Sequence, residues 1–367
     1  MRVLLVKLSS LGDVVHTLPV VQDILAAMPD AQIDWVVEKA FAPLLTRIKG
    51  LHRIIPCDLR RWRKSVWAAQ TRGEWRAFKV DLQTTHYDAV IDLQGLTKSA
   101  VVARLARLAV GGKRYAMANQ TDGSGYEAPT RWLADVAIAV EPHSHAVARA
   151  RFVVAKALAY QLSIAKTTAA KTNPAIAHPT ITNPTITNPT IANPTIANPT
   201  EITPTYGLKT SLADIKKAQA APKKIAFIHG TSRQDKTWPT QHWLELGQRF
   251  ATLGYQLVLV HGNVSELLTS QAIAAQRGCN CVVLPLLSLA ELTHELAACH
   301  GAIGVDSGVS HIAVALGLPH VQIYNFDTAW RTGPLGQVNQ RSVFAQPSPT
   351  VDAVWQAWLQ CDQAHDS

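Results

Sequence analysis

The sequence predicts an α/β protein built from two doubly wound parallel-sheet domains. Three observations carry this. Short β-branched runs alternate with longer helical patterns through the first half, the same rhythm returns in the second half, and a proline-rich tract separates the two. At 367 residues the chain also exceeds the usual span of one hydrophobic core, so two domains of about 150 residues are expected.

In the first half, Arg2–Leu8 reads as a strand, Asp13–Met28 as a helix and Gln32–Val37 as a strand, with Ala89–Leu93 and Lys98–Ala109 repeating strand and helix. That order implies βαβ units and a parallel sheet. In the second half the pattern runs through the strand Lys224–Ile228, a helix over Thr240–Leu253 ended by Gly254, and the strand Gln256–Val260. It continues with Cys281–Leu284, a helix over Ser288–Cys299, Gly301–Val305, a helix from Ser310 to Leu316, and Val321–Tyr324. Between the halves, Asn173–Thr205 repeats Asn-Pro-Thr-Ile-Thr/Ala through Pro184, Pro189, Pro194 and Pro199. Each proline fixes φ and extends the residue before it, so the tract reads as an inserted extended spacer. The expected boundaries are residues 1–165, a linker over 166–212, a second domain over 213–350, and a terminal helical stretch over 351–367 whose Trp355 and Trp358 suit packing against another surface.

Composition narrows the function classes. A hydrophobic fraction of 47% against 17% charged supplies ample core, which excludes a wholly disordered chain. No long uncharged apolar run occurs, and Lys7 interrupts the N-terminus too early for a signal peptide, so a cytoplasmic protein is expected. The five cysteines, at positions 57, 279, 281, 299 and 361, form no disulfide framework and are expected as idle thiols. A formal net charge of +9 favours an anionic partner. Nucleic acid is disfavoured because no nucleic-acid signature accompanies the charge.

Five segments carry candidate chemistry. Ser9-Ser10-Leu11-Gly12-Asp13 lies where the first strand gives way to the first helix, the edge of a parallel sheet at which ligands bind. Gly12 permits close backbone approach, while Ser9, Ser10 and free N–H groups can hold an anion or a sugar hydroxyl. Asp13 reads either as a helix N-cap or as a general base, and both at once only if one carboxylate oxygen stays free. Arg60-Arg61-Trp62-Arg63-Lys64 concentrates four cations around one tryptophan, which suits phosphate or carboxylate groups or a solvated face. Asp92–Ser99 follows another strand and brings Gln94, Lys98 and Ser99 near a helix start. Lys113, Arg114 and His145 are further candidates for an anionic ligand.

Ile228–Pro239 follows the first strand of the second domain, and its hydroxyls, Arg233 and Lys236 can meet a diphosphate, although the Walker spacing is missing. Gly304–His311 runs from a strand into a turn of small residues, where Asp306, Ser307, Gly308 and His311 meet a helix N-terminus with free N–H groups. No GxGxxG fingerprint and no Asp-x-Asp pair occur. A nicotinamide cofactor and a diphosphate-bridging metal are therefore not expected.

The opening Val3–Pro19, together with Asp92-Leu93-Gln94-Gly95-Leu96-Thr97-Lys98-Ser99, resembles the lipopolysaccharide heptosyltransferases of glycosyltransferase family 9. The resemblance extends over both halves but leaves out the Asn-Pro-Thr-Ile repeat. It implies a GT-B fold of two facing Rossmann-like domains, with Asp13 as catalytic base. It further implies that Ser9, Ser10, Thr231, Lys236, Asp306, Ser307, Gly308 and His311 hold the donor. Arg60, Arg61, Arg63, Lys64, Gln94, Lys98, Lys113 and His145 then serve the acceptor. The implied partners are ADP-L-glycero-D-manno-heptose, Kdo2-lipid A and the anionic cytoplasmic face of the inner membrane, with transfer inverting the anomeric centre and needing no cofactor. A family member with another acceptor, or a non-catalytic ADP-heptose binder, remains open on the sequence.

Overall fold

A computed structural model describes residues 1–162, 203–210, 222–276 and 278–366, together with Lys216 and Gln219. The repeat therefore lies outside the described residues, apart from its last three positions. Around it stand two six-stranded parallel sheets. The first comprises β1 (Arg2–Val6), β2 (Gln32–Glu38), β3 (Leu51–Cys57), β4 (His86–Asp92), β5 (Arg107–Met117) and β6 (Val136–Ile138). The second comprises β7 (Lys224–Ile228), β8 (Gln256–Leu259), β9 (Cys281–Val283), β10 (Gly301–Val305), β11 (His320–Tyr324) and β12 (Gln340–Phe344).

The strand orders are β3-β2-β1-β4-β5-β6 and β12-β11-β10-β7-β8-β9. Each domain therefore repeats one topology, with its order reversing between the first and fourth strand. In such sheets the reversal opens a crevice at the carboxyl ends of the two strands flanking it. Here those are β1 and β4 in one domain and β7 and β10 in the other. The central strands β1, β7 and β10 are apolar and buried almost throughout because helices cover both faces.

Three apolar clusters hold the layers. One lies behind the first sheet around Leu4, Val6, Trp62, Phe78 and Tyr87, and one behind the second around Phe227, Trp243, Phe250 and Trp358. The third is continuous across the domains, running from Val14, Val15 and Leu18 to Ile228, Ile312 and Ala313. The terminal helix Val351–Asp366 lies on β11 and β12, with Trp358 fully buried.

Several local expectations change. The helical pattern over Asp13–Met28 splits into Leu11–Thr17 and Pro19–Ala27, because Pro19 has no N–H to continue the first helix and suits the first position of the next. The helix expected to reach Ala109 ends at Leu105, and Arg107 already belongs to β5. The basic cluster is no free loop: Leu59–Trp62 is a helical turn whose Trp62 is buried in the core. Cys279 and Cys281, expected as thiols, form a disulfide. Their Cα atoms stand 5.4 Å apart, within bridging range. Cys57, Cys299 and Cys361 are buried thiols. Among the described residues no helix is long and apolar enough to cross a membrane.

Candidate active site

The two crevices face one another, and the turns after β1 and β10 meet at their centre. The helices Leu11–Thr17 and Gly308–Ala315 start there and pack together. Two glycines permit the approach. A Cβ on Gly12 would stand 2.9 Å from the His311 ring, and one on Gly308 would stand 2.7 Å from Leu11 Cγ. Real Cβ atoms keep a wider separation, so the contact depends on having no side chain at either position.

Between the turns lies a cavity of about 240 Å³. The first domain contributes Ser10, Asp13, His16 and Arg149, and the second Ser232, Lys236, Asp306 and His311. Asp13 occupies the third helical position and not the N-cap, which is Ser10. Its Oδ2 accepts from the Ser10 backbone N–H at 3.0 Å and from the Ser10 hydroxyl at 2.9 Å. Among the described residues its Oδ1 is paired only with the Lys7 ammonium, at 3.8 Å. One oxygen is thus committed to the helix start and the other remains available. Burial pushes the Asp13 carboxyl up, but Lys7, the two Ser10 donors and Arg149 more than offset it and hold it below its ordinary value.

Across the cavity, Lys236 Nζ lies 2.5 Å from Asp306 Oδ2 and His311 Nε2 lies 3.4 Å from Asp306 Oδ1. Gln322 donates to His311 Nδ1 at 3.3 Å, which leaves Nε2 as the protonated nitrogen facing Asp306. Burial alone would raise the Asp306 carboxyl. The hydrogen bond from His311, with the charge and hydrogen bond of Lys236, instead drives it far below the carboxylate range. Thr231 donates to the Asp306 carbonyl at 3.4 Å, tying the turn after β7 to the turn after β10. Ser307 caps the Gly308–Ala315 helix by accepting from Ser310 N–H at 3.4 Å.

The remaining candidates divide. Gln94 reaches across the first sheet, its Oε1 accepting from the N–H groups of Leu8 and Ser9 at 3.1 and 3.0 Å. Lys98 donates to Ser9 Oγ at 3.4 Å. Ser9, Gln94 and Lys98 are therefore joined to one another at the turn after β1 and are not among the residues lining the cavity. Arg61 is paired with Asp58 at 2.7 Å and with Glu74. Arg60, Arg63 and Lys64 are exposed. Lys113 is exposed in mid-β5, three residues back from the Ala116 that faces Asp92, and is not among the residues lining the cavity. His145 is buried as a helix N-cap: Nδ1 accepts from Val147 N–H at 3.1 Å and Nε2 donates to the Gly333 carbonyl at 2.9 Å. Nδ1 is taken by the helix cap and Nε2 by the contact with the second domain, so the structure corrects its assignment as an acceptor ligand.

Four residues that motif reading does not single out complete the site. Lys7 is buried at the end of β1 and donates to the Leu93 carbonyl at 2.9 Å. Arg149, buried on the helix Ala146–Leu158, donates to Thr121 Oγ1 at 2.6 Å and adds positive potential at Asp13. His16 stands one turn beyond Asp13, its ring centroid 4.1 Å from that of His311. Arg331 lines the cavity and donates to the Gly123 carbonyl at 2.8 Å across the domains. Lys7 and His16 lie inside the opening motif Val3–Pro19, whereas Arg149 and Arg331 fall in none of the motifs read from the sequence.

Residues 75–354 match the family model described as glycosyltransferase family 9 (heptosyltransferase). The chain belongs to glycosyltransferase family 9. This family 9 glycosyltransferase is 35% identical over 344 residues to lipopolysaccharide heptosyltransferase 1 of Pseudomonas aeruginosa, covering 92% of this chain and 82% of the relative. It is 24% identical to lipopolysaccharide heptosyltransferase 2 of Escherichia coli, covering 91% and 86%. Among solved structures, E. coli heptosyltransferase WaaC with ADP-2-deoxy-2-fluoro heptose is 31% identical, with a TM-score of 0.73 and coverage of 97% of this chain and 98% of that one. The two Rossmann-like sheets and their facing crevices are accordingly the GT-B arrangement.

Proposed function

We propose that this glycosyltransferase moves L-glycero-D-manno-heptose from ADP-heptose to the inner Kdo of Kdo2-lipid A, at the cytoplasmic face of the inner membrane. The observation carrying the reading is the cavity that places the free Oδ1 of Asp13 opposite the Lys236–Asp306–His311 cluster. A base on one wall and cations beside a helix N-terminus on the other are what a displacement at an anomeric carbon requires. The higher identity to a heptosyltransferase 1 than to a heptosyltransferase 2 supports Kdo as the acceptor sugar.

In this scheme Asp13 Oδ1 takes the proton of the acceptor hydroxyl as its oxygen attacks the anomeric carbon. The bond to the diphosphate oxygen breaks on the opposite side, and one displacement inverts the centre. Lys236 and the amides at the start of Gly308–Ala315 receive the charge of the leaving ADP, with no divalent metal required. Because the Asp13 carboxyl is held low, its contribution rests on placement more than on basicity.

Asp13→Ala tests the scheme. It should lower kcat by about 10³-fold, within the range for a lost general base, while ADP affinity measured by calorimetry stays unchanged. Near-normal turnover in that variant would remove Asp13 from the mechanism. Turnover abolished by EDTA would refute the metal-free part.

A further inference from the structure

Beside the catalytic turn, but outside the cavity, the first domain carries a groove of about 830 Å³. Its apolar wall is Leu59, Trp62, Trp75, Val101 and Val102. The Trp62 indole N–H donates to Glu74 at 2.7 Å and its ring packs on Trp75 and Phe78, so with Leu59 and Val102 it forms the buried floor of the groove. Val101, on the helix Thr97–Leu105, and Val66 line the groove and are 42% and 54% exposed. A groove of this volume, with Val66 and Val101 exposed on its wall, has the dimensions and apolar lining of a ligand site.

The rim is cationic. Arg63, Arg72, Arg76 and Lys98 surround the groove, against one acid, Glu127. That carboxylate accepts from the Thr97 backbone N–H at 2.7 Å and is committed to the helix start. The groove therefore matches an amphiphile with an apolar tail and an anionic head. Lys98 fixes its direction, since the same ammonium that edges the groove donates to Ser9 Oγ in the catalytic turn. A ligand whose head reaches Lys98 meets the Ser9–Asp13 turn at a point outside the cavity.

We propose that this groove binds a fatty acyl chain of the acceptor, so that the lipid itself helps to place the acceptor sugar against Asp13. The inference rests on the glycolipid acceptor proposed above and deepens it. The sugar is held at the cavity, the anionic groups meet the rim, and one acyl chain lies along Trp62, Trp75 and Val101. Burying that chain removes apolar surface from water on both sides, a gain unavailable to a deacylated acceptor.

The test uses the full chain, a dansyl-labelled undecanoic acid as probe, and two variants at one exposed position. Val101→Asp puts a charge in the groove, and Val101→Phe fills it. Thermal melting identifies any variant that fails to fold. Wild type should raise the probe's fluorescence saturably and release it to lauric acid, and each folded variant should bind about tenfold more weakly or worse, the scale of losing one or two methylene contacts. Both variants should keep wild-type kcat/KM towards a deacylated Kdo acceptor and lose about fivefold or more towards the acylated one.

The proposal falls if wild type does not bind the probe, if both variants bind it normally, or if activity drops equally with both acceptors. Binding to phosphatidylglycerol vesicles without binding of the monomeric probe would also overturn it, because the patch would then be a docking face. If wild type transferred heptose to neither acceptor, the function proposed above would fail, while the fluorescence titration would still decide the groove.

Discussion

Asp92 and Asp306 stand at matching places in the two domains, each at the end of the fourth strand of the same topology, beside the reversal of strand order. Both are buried. Asp92 is surrounded by the neutral donors of its own turn, namely the N–H groups of Gln94 and Gly95 at 2.9 and 3.4 Å and the Ser99 hydroxyl at 2.9 Å. Burial outweighs these bonds and pushes its carboxyl up to about 6. Asp306 instead faces Lys236 and His311 and is held far below the carboxylate range. The same position in the fold thus serves once to staple a turn and once to keep charge in a cleft. What separates the two is the cation that the turn after the domain's first strand delivers: Lys236 reaches Asp306 itself, whereas Lys7 is occupied by the Leu93 carbonyl and Asp13.

The strongest way to break this comparison is Lys236→Ala. Losing a charge-assisted contact of about 2–3 kcal/mol should weaken ADP binding by about 30–150-fold in calorimetry. Unchanged affinity would mean that the Asp306 cluster is structural like its counterpart.

A smaller effect is expected from Gly308→Ala, which drives a methyl into Leu11 across the domains. Overpacking of this kind costs about 1–3 kcal/mol. Chemical denaturation should register that loss, and an unchanged midpoint would show that Leu11 yields freely.

Asp92→Asn should be milder still, lowering stability by about 1 kcal/mol through one poorer hydrogen bond and leaving ADP affinity within twofold.

The pH dependence sharpens the contrast, because the signs are opposite. The folded Asp92 carboxyl is raised, so its contribution is present at low pH and is lost as pH rises from the ordinary carboxylate value through about 6. Asp306 is depressed, so its contribution is present above the ordinary value and is lost as pH falls below it. Denaturant titrations from pH 3 to 7 should show the loss between pH 4 and 6 disappearing in Asp92→Asn, and the loss below pH 4 diminishing in Asp306→Asn. Identical profiles for the two variants would erase the distinction.

How much of this was legible in the sequence depended on range. The β1 and β7 runs, the turns at Gly12 and Gly308, and the anionic character of the ligand could be read locally, because β-branched runs form strands and small residues permit close turns. Pro19 marks the Leu18–Pro19 break, but the apolar period continues through it and masks the break in the sequence. His145 misled for the opposite reason: a surface ligand and a buried helix cap look alike until both ring nitrogens have named partners.

By itself, the sequence determined the alternation of elements and the placement of candidate turns at strand ends, since both follow from backbone preference and side-chain period. Only the tertiary structure decided which Asp13 oxygen is free, that Arg149 adds charge beside it, and that Lys236 pairs with an aspartate 70 positions away. It also set a cationic rim around an apolar groove formed by helices distant in the chain. The physical reason is that ionisation and burial depend on what surrounds a group in space, and those neighbours come together only when the two sheets face each other.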